Sequence, residues 1–103
     1  MKWYQQGDVL LKLVDKVPDG ATRLDHLILT QGEVTGHAHV AHGEGVAILE
    51  VESGRYLCAP VGGTVLHPEH RPVLLPPGIY RVERVVEWDH FGQRNGQVHL
   101  LAD

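Results

Sequence analysis

Short apolar runs separated by turn-forming residues are the feature that most restricts how this chain can fold. In the 103 residues, runs rich in branched apolar side chains lie at residues 8–14, 24–30, 46–51, 55–58, 64–67, 72–75, 79–88 and 97–101. Segments containing Gly or Pro separate many of them, at residues 18–20, 52–54, 62–63, 76–78 and 94–96. No segment repeats apolar residues convincingly at helical spacing. The pattern predicts one all-β domain over residues 1–103, an antiparallel β-barrel or sandwich.

Composition restricts the function classes. Lys and Arg number 9 and Asp and Glu 13, and no basic run occurs, so a nucleic-acid partner is only weakly supported. No apolar run approaches the roughly 18 residues of a membrane span, and the N-terminus lacks a signal-peptide pattern. We therefore expect a cytoplasmic protein with no membrane partner. Cys58 is the only cysteine, which excludes an intrachain disulfide and a cysteine-based zinc site.

Histidine is the compositional outlier, and its positions indicate a site. Five of the eight histidines fall into two tight groups, His37/His39/His42 and His67/His70. If residues 35–40 are extended, His37 and His39 project from one face, with Cβ atoms about 7 Å apart, and can converge on one point. In the second group Pro68 ends a strand, and the H-x-x-H spacing suits a tight turn whose two ends aim inwards.

Neutral imidazole is a good ligand for transition metals, so the two groups together predict a metal site. The first-choice ligands are His37, His39, His67 and His70, with His42 and Glu44 next. The expected cofactor is one divalent transition metal: Zn, Fe, Ni, Mn or Cu. Two other interpretations stay open, namely surface histidines without a ligand and a metal-free pair of catalytic histidines.

The segment from Gly32 to Gly54 resembles the first motif of the cupin family. Gly32 precedes His37-Ala-His39, and Glu44 follows at a short distance. The resemblance implies a cupin-like barrel in which His37, His39 and Glu44 bind the metal. The second cupin motif has Pro-x-Gly followed by a histidine ligand; here Pro76-Pro77-Gly78 is followed by no histidine, so His67 or His70 would have to replace it. Cupin-like barrels often dimerise by strand exchange, which together with exposed strand edges predicts a homodimer.

The segments QGDVLL, GEVTGHAH, HPEH and LPPGIYRV also resemble a group of small bacterial proteins of unassigned function. That resemblance implies no particular chemistry.

A metal with an open coordination position activates water, which predicts a small metal-dependent hydrolase. Its substrate would be a phosphoester, RNA among them, or another small molecule, and Glu33, Glu44 or Glu69 would act as general base. Four alternatives remain: a cupin-type Fe(II) oxygenase, a non-catalytic or structural metal module, a metal-free ribonuclease using two histidines, and a protein-interaction domain.

Overall fold

The structure is a computed structural model that describes residues 2–31 and 37–85. Over these residues it consists of strands and connecting turns, without a helix. The strands are β1 (Trp3–Gln6), β2 (Val9–Val14), β3 (Thr22–Arg23), β4 (Ile28–Gln31), β5 (Ala38–His42), β6 (Ala47–Val51), β7 (Gly54–Ala59), β8 (Gly63–His67), β9 (His70–Leu75) and β10 (Gly78–Arg84). The all-β prediction is therefore confirmed. The strand predicted at 97–101, the turn at 94–96 and Glu33 lie outside the described residues.

The strands form two antiparallel sheets. The first has the order β1-β2-β10-β7-β6-β3 and the second has the order β4-β5-β8-β9. Each described sheet has two end strands, so the architecture is a pair of packed sheets and not a closed barrel. Of the two predicted architectures, the barrel is thus not the one observed.

The core lies between the sheets and follows from two-residue alternation along the strands. In β2, Val9 and Leu11 are fully buried while Leu10 and Lys12 are half-buried. In β10, Tyr80 is buried and donates its hydroxyl to Pro76 O at 2.6 Å. The second sheet contributes buried apolar residues from each of its four strands: Leu29, Ala41, Val65 and Leu75. Since alternate side chains of a strand face opposite sides, each sheet presents one apolar face to the other.

Three strands lie where the apolar runs gave no signal. They are β1, with the sequence WYQQ, β3, with TR, and β5, with AHVAH. Each of these strands contains polar residues. Pairing with a neighbouring strand, and not apolar content, therefore defines them. The run predicted at 24–30 begins its strand only at Ile28, because the N–H of Ile28 donates to Nδ1 of His26 in a local turn.

No helix within residues 2–31 and 37–85 has the length and apolar character needed to cross a membrane.

Candidate functional site

Four histidines from two separate parts of the sequence lie close together in the structure. The ring of His67 is central: its centroid is 4.3 Å from that of His39, 4.5 Å from that of His70 and 5.7 Å from that of His37. The His39 and His70 centroids are 5.8 Å apart. We call His37, His39, His67 and His70 the histidine cluster. It contains all four of the first-choice ligands predicted from the sequence.

Strand pairing explains why these side chains meet. Strand β5 pairs with β8 in antiparallel register, with Val40 opposite Leu66. His39 and His67 are each adjacent to this pair and therefore lie next to each other on neighbouring strands. Strand β8 in turn pairs with β9, where His67 lies directly opposite His70 across a two-residue loop. Side chains of directly opposed residues share one face of a sheet, which brings the two ends of the HPEH turn together.

The buried amide of Gln6 connects the cluster to the other sheet. Gln6 is 1% exposed, and its Nε2 donates to Val65 O at 2.9 Å and to Arg71 O at 2.8 Å. Val65 O is next to a register irregularity between β8 and β9, a position where ladder hydrogen bonding is interrupted. Because only the NH₂ group can donate to two carbonyls, the amide orientation is determined, and Oε1 faces His39.

This orientation defines the tautomer of His39. Its Nδ1 lies 2.8 Å from Gln6 Oε1, which can only accept, so Nδ1 carries the proton. When His39 is neutral, its other nitrogen, Nε2, is therefore an acceptor with an available lone pair. His39 is 3% exposed, and its Nε2 lies 3.4 Å from Oδ1 of Asp8.

Asp8 is held by an arginine on its far side. Arg84 Nε donates to Oδ2 of Asp8 at 2.8 Å, while Oδ1 is directed to His39. Burial raises the pKa of Asp8, but the hydrogen bond and the positive charge of Arg84 outweigh burial and leave this pKa below its usual value. The carboxylate that faces His39 is thus ionised at neutral pH.

Two rings of the cluster are held in the neutral form. Burial lowers the pKa of His39 to about 4, with the charge of His67 adding to the effect and that of Asp8 opposing it. Burial also lowers the pKa of His67, as do the charges of His70 and His37, against the opposing effect of Glu69 and Asp8. Neutral imidazole is the form that binds a metal ion.

His67 has the opposite tautomer to His39. The backbone N–H of Glu69 donates to Nδ1 of His67 at 3.0 Å within the HPEH turn. An Nδ1 that accepts a hydrogen bond carries no proton, so neutral His67 is protonated on Nε2. Coordination through Nε2 would therefore require the ring proton to be on Nδ1 instead, and a protonated Nδ1 can no longer accept the hydrogen bond from Glu69.

The ring of His70 lies against the backbone of Gly7. A Cβ atom at position 7 would be 2.6 Å from Nε2 of His70, and Gly7 has a φ of +58° in the two-residue loop between β1 and β2. Gly7 therefore meets two requirements at once: the left-handed backbone conformation of the loop and the space taken by an imidazole. Asp8 is the second residue of the same loop.

One side of the cluster is open to solvent. The side chain of His37 is 34% exposed and that of Glu69 62% exposed, and Oε2 of Glu69 lies 3.5 Å from Nδ1 of His37. His39, at the other side, is buried. The cluster thus extends from a buried ring, His39, to an exposed rim at which the carboxylate of Glu69 lies.

Two further predicted site residues, His42 and Glu44, are exposed to solvent. His42 is exposed at the far end of β5, where it pairs with Thr64, and Glu44 is exposed in the turn that follows. The cupin-type set of His37, His39 and Glu44 stays a prediction. Glu33 lies outside the described residues.

Donor atoms of the cluster are not yet arranged around a common point. Within residues 2–31 and 37–85, no three His, Cys, Asp or Glu side chains form a group that could hold a metal ion as they stand. The rings are close enough to one another for coordination, but metal binding would require rotation of side chains.

Sequence reasoning missed Gln6, Asp8 and Arg84. Gln6 and Asp8 flank Gly7, and the available signal was a Gly-Asp pair directly before an apolar run, which is typical of a hairpin loop. That signal predicts a turn, but it does not predict which residues contact the turn in the folded protein. Arg84 is 76 positions from Asp8, so no local pattern connects the two residues.

Comparison with known proteins identifies a family whose function is unknown. A family described as Domain of unknown function (DUF8820) matches residues 5–85. The chain belongs to this family. The matched residues include the complete histidine cluster together with Gln6, Asp8 and Arg84. No curated protein and no solved structure matches the chain.

Proposed function

We propose that this DUF8820 domain binds one divalent transition metal ion at the histidine cluster, with Asp8 as an additional ligand. The observation that carries the proposal is the close approach of two acceptors, Nε2 of His39 and Oδ1 of Asp8, at 3.4 Å. The other nitrogen of His39 is committed to Gln6, and the other oxygen of Asp8 to Arg84.

Electrostatics favour a cation between these two atoms. With His39 neutral and Asp8 ionised, the lone pair of a buried ring and the oxygen of a half-buried carboxylate face each other, which is unfavourable. A proton on Nε2 would relieve this, but the pKa of about 4 for His39 leaves that nitrogen unprotonated at neutral pH. A divalent metal ion converts the repulsion into two coordination bonds.

The spacing of the rings supports the same conclusion. Metal–nitrogen bonds of about 2.1 Å put the centroids of imidazoles bound to one tetrahedral ion about 5 Å apart. Measured centroid separations in the cluster range from 4.3 to 5.8 Å. Ring rotations would then direct the nitrogens to the ion, and His67 would in addition have to exchange its tautomer and lose the hydrogen bond from Glu69. Nitrogen ligands with one carboxylate suit Zn, Fe, Ni, Mn or Cu.

Hydrolysis is the second candidate function, and Glu69 is the observation that favours it. An ion bound by His39 and Asp8 would keep a position directed to the open rim for a water molecule. Glu69 lies at that rim, 3.5 Å from His37, where it would accept a proton from such a water. A small phosphoester or another activated ester would be the substrate class.

The metal-free acid–base alternative is less well supported. It requires one imidazole to be protonated and its partner neutral near pH 7. The lowered pKa values of His39 and His67 keep both of these rings neutral in that range.

Elemental analysis of untagged protein, with a melting curve before and after chelation, tests metal binding. We expect about one metal per chain in wild type, a lower melting temperature after chelation, and no stoichiometric metal in the His37→Ala or His39→Ala variants. Asp8→Asn should weaken binding by about 10- to 100-fold, as expected for loss of a charged ligand or its support.

The matched control is His42→Ala, which removes an exposed histidine from the same strand as His39. It should retain a full equivalent of metal. A full equivalent in His39→Ala, or a wild-type melting curve that does not respond to chelator or to added metal, would contradict the proposed function.

Hydrolysis is tested separately with the Glu69→Gln variant and a chromogenic phosphodiester. Gln keeps the shape of the side chain but cannot accept a proton, so kcat should fall by about 100-fold while the metal content remains at the wild-type level. Wild-type turnover that is unchanged in Glu69→Gln would remove Glu69 as the base, and absence of turnover with any phosphodiester or ester offered would leave metal binding as the function.

A further inference from the structure

Gln6 has all the properties of a residue that orients a metal ligand. It is buried, it belongs to β1 of the first sheet, and its three described hydrogen bonds all go to the second sheet. Two of them use the NH₂ group, at Val65 O and Arg71 O, and the third uses Oε1, at His39. Rotating the amide by 180° would set Oε1 against two carbonyl oxygens and NH₂ against the ring nitrogen.

We propose that Gln6 is a positioning residue that holds the proton of His39 on Nδ1 and thereby selects Nε2 as the metal-binding atom. The inference rests on the proposed function. A neutral imidazole has two tautomers, and only the one protonated on Nδ1 directs a lone pair to Asp8, at 3.4 Å. Outer-shell partners of this kind orient the ring and raise its basicity as a ligand.

His67 provides an internal comparison for this inference. Its Nδ1 accepts a hydrogen bond from the N–H of Glu69, so its proton belongs on Nε2. Two histidines whose rings are 4.3 Å apart therefore have opposite tautomers, each determined by one hydrogen bond. A general effect of burial would treat both rings alike, whereas the hydrogen-bond partners distinguish them.

Long-range ¹H–¹⁵N correlation spectra of the histidine rings test the tautomers directly in metal-free protein. We expect His39 to be protonated on Nδ1 and His67 on Nε2 at pH 7.5. His39 protonated on Nε2 in wild type would overturn the inference, and this measurement requires no variant to fold.

Two variants separate positioning from structural support. Gln6→Met and Gln6→Glu both remove the NH₂ donor to Val65 O and Arg71 O, but only Gln6→Glu retains an acceptor for His39. Gln6→Met should release the Nδ1 tautomer and weaken Zn²⁺ binding by about 10- to 100-fold, while Gln6→Glu keeps the tautomer and restores most of the affinity.

The outcomes distinguish the two proposals. Equal affinity for Zn²⁺ in Gln6→Met and Gln6→Glu, with both folded, would overturn the role of Gln6. Wild-type protein that binds no metal would overturn the proposed function, while the tautomers of metal-free His39 would still report on Gln6 itself. If Gln6→Met fails to fold, the wild-type tautomers and the affinity of Gln6→Glu decide the matter.

Discussion

At the scale of single residues, the two nitrogens of His39 have different partners and therefore different roles. Nδ1 donates to Gln6 Oε1 at 2.8 Å, and Nε2 faces Asp8 Oδ1 at 3.4 Å. A buried histidine whose only function was packing would need one hydrogen-bond acceptor for its N–H. It would not need a negatively charged group beside its other nitrogen. The arrangement at His39 instead keeps the ring neutral beside a carboxylate, which has a measurable consequence for stability.

Metal-free protein should lose stability as the pH falls from about 6.5 to about 4. The pKa of His39 is lowered from 6.5 to about 4 in the folded state, so in this interval the unfolded chain binds the additional proton. The contribution is complete above pH 6.5 and is lost progressively below it. At about 1.4 kcal/mol per pKa unit, it amounts to at most about 3.5 kcal/mol of the free energy of unfolding. Urea unfolding in chelator at several pH values measures it.

The groups that face His39 determine how this experiment is controlled. Asp8, His67 and His70 all act on the ring electrostatically, and His67, whose pKa is also lowered, contributes with the same sign. His39→Gln should therefore flatten the pH dependence without abolishing it, while His42→Gln should leave it as in wild type. An equally steep decline in His39→Gln would mean that other groups produce the effect.

At the scale of elements, two hairpin loops meet to form the site. The loop Gly7-Asp8 joins β1 to β2 in the first sheet, and the loop Pro68-Glu69 joins β8 to β9 in the second. The ring of His70, at the end of the second loop, packs on Gly7 of the first. Each hairpin contributes part of the site. The two hairpins can pack together because Gly7 has no side chain.

Gly7→Ala should impair the site more than it impairs the fold. Alanine in the left-handed conformation costs about 1–2 kcal/mol, and its Cβ would be 2.6 Å from Nε2 of His70. A ring can move away from this contact at little cost in stability, but it then leaves the cluster. We expect about 10-fold or greater loss of Zn²⁺ affinity and altered His70 ring resonances in metal-free spectra.

Gly20→Ala is the matched control for backbone strain. Gly20 has a φ of +84°, and a Cβ there would meet nothing within 4 Å. It should lose a similar free energy of unfolding in urea but keep the wild-type metal affinity and His70 resonances. Unchanged His70 resonances in Gly7→Ala would refute the packing described here.

At the scale of the whole molecule, side chains from the first sheet tie the two sheets together at two places. Gln6 of β1 binds carbonyls of β8 and β9. Arg55 of β7 donates through Nη1 to Ile28 O at 3.0 Å and Leu29 O at 3.1 Å, both in β4, and through Nε to Glu50. The connections lie near opposite ends of the second sheet, in which β4 and β9 are the outer strands.

Arg55→Met should lower the free energy of unfolding by about 1–2 kcal/mol, because two backbone carbonyls lose a charged donor while the apolar stem of the side chain is retained. Urea unfolding measures the change. Arg81→Met is the control: Arg81 lies in the neighbouring strand and pairs with Glu83 in a partly exposed ion pair, so its removal should cost less than about 1 kcal/mol. Equal losses in the two variants would show that Arg55 does not connect the sheets energetically.

The sequence by itself determined the local structure of most of the fold. Short apolar runs bounded by turn-forming residues predict strands such as β2 and β6, and two-residue alternation in addition predicts one buried face for β10. The spacings H-x-H and H-x-x-H likewise predicted which pairs of histidines would share a side. Strands β1 and β5 contain polar residues and gave no comparable signal. Pairing with neighbouring strands, and not apolar content, defines them.

Only the tertiary structure decided what surrounds the histidines. Gln6 and His39 are 33 positions apart, and Asp8 and Arg84 are 76 apart. Periodicity determines which face of a strand is buried, but it carries no information about which distant strand that face meets. Strand β5 pairs with β8, and the β1–β2 hairpin packs against β9. Together these contacts bring the amide of Gln6 and the carboxylate of Asp8 to the histidine cluster. The tautomers, and with them the atoms available to a metal ion, follow from that packing.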